Sequence, residues 1–213
     1  GSGITKGWAY GHISFPVSKN PLSALSGRVK VEDVAVMTKP FFLERLAGEC
    51  EMEGKVINLK IYSEFLPEIY LEGKYSIEDG NFSGYLKASG VMVRYEGATA
   101  ELNASLRGIV GRRSASISGE VDMRRVFLPF DPSFIRKFSS SNKMEGFDLL
   151  IDQLKIKLSD VRIKGGGNEL RGEGELVISG FQELSASGRI SLSGRILYFG
   201  KEFEITKGEI LWE

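Results

Sequence analysis

Histidine occurs once in this 213-residue chain, at His12, and cysteine once, at Cys50. A single histidine so close to the start of the chain reads as a surface residue. It leaves no histidine-based catalytic or metal constellation to argue for. One cysteine excludes an internal disulfide. Net charge is also missing: Lys+Arg and Asp+Glu number 28 each, which removes the electrostatic case for a nucleic-acid partner. No apolar run approaches the roughly 18 residues of a helical membrane span, and no leader opens the chain. Gly1-Ser2-Gly3 reads as a cloning scar and the rest as an excised piece of a longer protein. "GRILYFGKE" has a phosphate-loop look, but its spacing is wrong and Glu202 stands where Ser or Thr is needed. Carboxylates are plentiful, yet Glu169, Glu173, Glu175, Glu202 and Glu204 alternate along faces that should be solvated. An enzyme is therefore not expected, nor a metal or cofactor.

What the chain has is glycine, 26 residues against 6 prolines, and alternation. Glycine weakens helices by about 1 kcal/mol against alanine, so its abundance points to strands and turns. In "ATAELNASLRG", Ala98, Ala100, Leu102, Ala104 and Leu106 share one side, opposite Thr99, Glu101, Asn103 and Ser105. In "SASISGEVDMRRV", Ala115, Ile117, Val121 and Met123 alternate with Ser116, Ser118, Glu120 and Asp122. In "NELRGEGELVISG", Leu170, Leu176 and Ile178 lie opposite Glu169, Arg171, Glu173 and Glu175. From Leu184 to Tyr198 the even positions are apolar, small or Gly, and the odd ones are Ser or Arg until Leu197. Strands of this kind have one dry and one wet face. Turn signals fall at "EDGN" (Glu78–Asn81), "YEG" (Tyr95–Gly97) and "KGGGN" (Lys164–Asn168), at the spacing of a long antiparallel meander of about 14 strands.

Two short stretches read as helices instead. "DPSFIRKFSSS" offers Asp131 as N-cap and Pro132 at the first position, and "KPFFLERLAGE" begins at Lys39 and Pro40. The expected organisation is a β region over 4–130, a short helix and joint over 131–146, and a second β region over 147–213. So little helix cannot cover a sheet of that size. A sandwich, a barrel or a sheet curled around its own apolar interior remain. The small residues on the apolar side allow either tight bends or an open channel.

The stretch "LKIKLSDVRIKGGGNELRGEGELVISG", followed by "LSASGRISLSGRILYFGKEFEITKGEILW", resembles the C-terminal conserved domain of the TamB family. The pattern is carried by Gly188, Ile190, Leu192, Gly194, Ile196, Tyr198, Phe199, Gly200, Phe203, Ile205, Gly208, Ile210 and Trp212. The specific likeness covers roughly 149–213. "LSGRVKVEDVAV" is similar to the looser repeat of the AsmA-like proteins. The resemblance implies an all-β fold, a long antiparallel meander curled into a taco-like groove with an apolar interior. It implies a periplasmic protein anchored in the inner membrane, which bridges to the outer membrane and moves phospholipid between them. It also implies an outer-membrane barrel partner of the TamA or BamA kind, and a segment that stops inside the conserved domain.

On that reading, phospholipid acyl chains would lie along Leu102, Leu106, Ile117, Val121, Leu154, Ile156, Leu158, Leu170, Leu176, Ile178, Ile190, Leu192 and Ile196. Two alternatives stay open. Exposed strand edges could template outer-membrane proteins by strand addition, or the chain could be a spacer with a self-packed sandwich core. An unpaired edge could also join two copies edge to edge.

Overall fold

The computed structural model describes residues 3–14, 26–38, 41–63, 65, 67–95, 97–130, 147–181 and 183–212. Side chains are described for all of these except 3–7, 36–38, 41–44 and 212. The described residues form twelve strands: β1 (Gly3–Ser14), β2 (Ser26–Thr38), β3 (Phe41–Glu53), β4 (Val56–Ser63), β5 (Glu68–Ser76), β6 (Asn81–Tyr95), β7 (Ala98–Val110), β8 (Ser114–Pro129), β9 (Asp148–Gly165), β10 (Asn168–Phe181), β11 (Glu183–Tyr198) and β12 (Lys201–Trp212). All twelve belong to one sheet, in chain order from β1 to β12. The sheet is not closed into a barrel, and β1 and β12 are its edges.

Three expectations change. The candidate helix after Pro40 is strand β3, paired with β2 and β4. Its Phe and Leu residues follow no helical constraint that a two-sided strand partner does not override. The meander is not wholly antiparallel, because β8 and β9 pair in parallel. A parallel neighbour needs a long crossover, and β8 ends at Pro129 while β9 begins only at Asp148. The candidate helix at Asp131–Phe138 and the joint at Ser139–Ser141 lie outside the described residues. The strands number twelve among the described residues rather than about fourteen. The turn signals fall where expected, between β5 and β6, β6 and β7, and β9 and β10.

Register carries each strand's alternation into a face of the whole sheet. One row of paired residues runs Ala9, Val31, Gly48, Ile61, Leu71, Leu86, Leu106, Gly119, Leu154, Ile178, Ala186, from β1 to β11, without a polar side chain. A row on the other face runs Tyr10, Lys30, Glu49, Lys60, Glu72, Tyr85, Arg107, Ser118. Opposite charges face each other there, which favours this register.

The sheet is bent as well as long. Register shifts break the ladders at Val31/Val34, Ala88/Val91, Thr99/Glu101, Ile117/Gly119 and Gly172/Gly174. Left-handed residues sit at or beside them: Asp33, Gly90, Arg125, Gln153 and Asp160. These are β-bulges, which bend a strand and increase its twist. Elsewhere β4 and β5 are short, so β3 and β6 overhang them. The overhanging pair approaches within 8 Å between Cα atoms, where a flat sheet would hold strands three steps apart at about 14 Å. Leu46 and Val91, at the base of the overhangs, are buried.

No large side chain is fully buried among the described residues. The accessible surface is 14846 Å², against about 9,800 Å² for a compact monomer of this mass. The tightest packing is a cluster of Ala100, Val126 and Val161 on β7, β8 and β9, flanked by Met123, Leu128, Leu158 and Ile163. Among the described residues there is one sheet and no second layer over its apolar face, which departs from the self-packed sandwich.

Candidate functional site

The apolar face is a trough that crosses the strands. Eleven strand-to-strand steps give it a length of about 53 Å. All thirteen residues singled out in the sequence lie on this face. Leu106, Leu154 and Ile178 share the row that runs from β1 to β11. Leu102, Leu158 and Ile190 share another, with Val91, Met123, Gly174 and Ile210. Val121, Ile156 and Leu176 form a third with Ala104 and Gly188. Ile117 is in line with Gly108 and Ile151, Leu192 with Gly172, Leu170 with Ile163 and Gly194, and Ile196 with Phe203. Leu170 is buried, at 7% exposure, and the other twelve are half-buried. Aliphatic side chains that are paired sideways but uncovered from above present an apolar surface ready for a guest.

Glycine shapes this surface in two ways. At Gly194 the backbone takes φ 129, and a Cβ there would fall on the carbonyl oxygen of Glu169. Only glycine fits such a close approach of two strands. Elsewhere neighbours lie down over the gaps: Leu192 over Gly172, Ile190 over Gly174, and the Phe82 ring over Gly73 and Gly84. The lining is therefore low in relief, without deep side-chain pockets along those rows.

Sequence alternation missed part of the lining. Ile151, Val161, Ile163, Val126 and Leu128 share the trough face, but each lies beyond a bulge that shifts the phase by one residue. The signal was present as apolar spacings of three, Met123 to Val126, Ile151 to Leu154 and Leu158 to Val161. Cys50, paired with Val29 and Leu59, also joins this face. Burial raises its thiol pKa, so at neutral pH it stays an apolar thiol.

The opposite face is charged and cross-linked. Arg28 bonds Glu51 at 2.8 Å, Arg189 pairs with Glu209 at 3.0 Å, and Arg195 with Glu202 at 3.0 Å. Lys164 lies 2.9 Å from Glu169, and this hydrogen bond is the main reason Glu169 titrates below the usual carboxylate range. His12 is exposed on this face, opposite Arg28. The carboxylates Glu169, Glu202 and Glu209 are thus held by basic partners across the strands.

A twelve-stranded open sheet with one apolar and one ion-paired face is the context in which similarity is informative. The model of the TamB C-terminal domain matches residues 80–213. The chain belongs to the TamB C-terminal domain family. The match starts well upstream of the stretch that carries the motif, taking in β6 to β9, in keeping with the unbroken sheet. No curated protein and no solved structure matches the chain. TamB membership connects the chain with the system for bridge-like lipid transfer or outer-membrane protein assembly. TamB proteins are membrane-associated, span the periplasm and work with TamA-like partners. Among the described residues no helix is long and apolar enough to cross a membrane.

Proposed function

We propose that this TamB segment is a stretch of a periplasmic bridge, anchored in the inner membrane by the full-length protein. Phospholipid passes along it between inner and outer membranes by partition, without catalysis. The observation that carries this reading is the apolar row from Ala9 to Ala186, continuous over eleven strands, exposed at Ala9, buried at Gly48 and half-open between and beyond. Exposing a methylene to water costs about 0.8 kcal/mol, so a two-chain lipid with some thirty methylenes faces a barrier on the order of 20 kcal/mol. A continuous aliphatic surface removes most of it. The same surface carries no charge or hydrogen-bonding array along that row to hold one lipid in place, which suits movement rather than storage. Acyl chains would lie against Leu106, Leu154, Leu158, Ile178, Ile190 and Leu192, with headgroups toward water.

Native mass spectrometry of the purified chain tests this. Co-purified phospholipid is the expected result, with strong loss in Leu192→Arg and none in Ser191→Arg on the opposite face. Equal lipid in both variants would overturn the reading. A second reading rests on the open edges β1 and β12, which expose unpaired backbone groups. A TamA-like barrel or a nascent outer-membrane protein would add a strand there. Under that reading, proline at Glu204 would abolish function in cells, while Leu192→Arg would be tolerated.

A further inference from the structure

The β11–β12 hairpin turns through Phe199 and Gly200, both left-handed at φ 48 and 72. Positive φ at both loop residues is the geometry of a tight type I′ turn, whose first position favours Asn, Asp or Gly. The neighbouring β9–β10 turn has the same left-handed pair and fills it with Gly166 and Gly167. Phenylalanine at that position is strained, and here it is also 88% exposed. Neither local conformation nor burial favours it, and such double violations mark functional positions.

The surroundings say what it meets. Tyr198, 62% exposed, stands edge-on to Phe199 with ring centroids 4.5 Å apart. Ile196 and Tyr198 share the trough side of the hairpin, and Leu197 lies on the other side against Gly167. The tip therefore carries an apolar or aromatic side chain on each side and at its apex, with Lys201 beside Tyr198 and Glu202 beside Leu197 on the returning strand. A protein surface would cover one side, whereas a lipid phase surrounds all three. Arg195, ion-paired to Glu202, and Lys201 flank the apolar residues, and long basic side chains so placed settle at a headgroup boundary. The stem beneath is firmly held. Asn168, 8% exposed, donates to the Gly165 carbonyl at 3.0 Å and accepts from the Leu197 amide at 2.7 Å. Phe130 lies on the same rim, its amide bonded to the Lys164 carbonyl.

We infer that the β11–β12 tip, with Phe199 at its apex, inserts into the headgroup–acyl boundary of a lipid bilayer. This contact adds to the trough reading and does not require acyl chains in the trough.

Flotation with vesicles of phosphatidylethanolamine and a minority of phosphatidylglycerol tests it, with Phe199→Asn as the decisive variant. Asn-Gly suits the turn, so the variant should melt no lower than the parent. It should also float about tenfold less, because its apolar apex is gone. Leu192→Arg, which disables the trough, should float like the parent. The inference is overturned if the parent does not float, if Phe199→Asn floats equally, or if its melting temperature falls, which would make Phe199 a packing residue. Flotation lost only in Leu192→Arg would assign membrane contact to the trough and overturn the tip alone.

Discussion

The two faces of this sheet are built on the same backbone and obey different physics. The trough face is continuous because aliphatic side chains and glycines meet in register from strand to strand. The opposite face is polar and in one row alternates in charge, through Lys30, Glu49, Lys60 and Glu72. A fault in the first opens or clogs an apolar surface. A fault in the second removes an exposed ion pair, worth about 0–1 kcal/mol. The packing that stabilises the molecule therefore sits mainly on one side of it, the side proposed to carry lipid.

Paired substitutions at adjacent positions test that asymmetry most strongly. Gly194→Val places a side chain on the Glu169 carbonyl at a φ that favours glycine, and should lower unfolding free energy by about 3 kcal/mol. Ser193→Val, one residue away on the charged face, should change it by less than about 0.5 kcal/mol. Urea denaturation of the two variants compares them directly, and similar losses would refute the asymmetry. A smaller effect of opposite sign is expected at a bulge. Gln153 is exposed and left-handed at φ 51, so Gln153→Gly should stabilise the chain by about 0.5–1 kcal/mol. A destabilised variant would show that the Gln153 side chain itself holds the bulge.

The smallest effect belongs to the charged face. Lys164 depresses the pKa of Glu169, so their pairing contributes stability above the ordinary carboxylate pKa and loses it as pH falls through the lowered value. Lys164→Met should unfold at slightly lower urea than the parent at neutral pH. The two curves should converge on acidification, and a gap that persists at low pH would mean Lys164 acts by packing instead.

Much of the trough was readable from alternation alone. Leu102, Leu106, Ile117 and Val121, for example, fall on one face because nothing interrupts the period between Ala98 and Leu106 or between Ala115 and Met123. Reading failed where the chain changes phase. Val161 and Ile163 belong to the trough although simple counting from Leu158 puts them on the wet side, since the left-handed Asp160 inserts a residue that β10 does not match. The apolar crowding at Leu197 and Phe199, a break in the pattern, is the hairpin tip: Leu197 still faces away from the trough against Gly167, and Phe199 is in the turn itself.

By itself the sequence determined the strand character, the two faces and the turns, because a period of two and the conformational demands of Gly-rich turns are local properties. It also carried the family motif from Gly188 to Trp212. Only the tertiary structure decided that β3 is a strand, that β8 and β9 run parallel, and which phase slips become bulges. Each depends on a partner strand distant in the chain, whose backbone hydrogen bonds and side-chain register select one among several locally acceptable conformations.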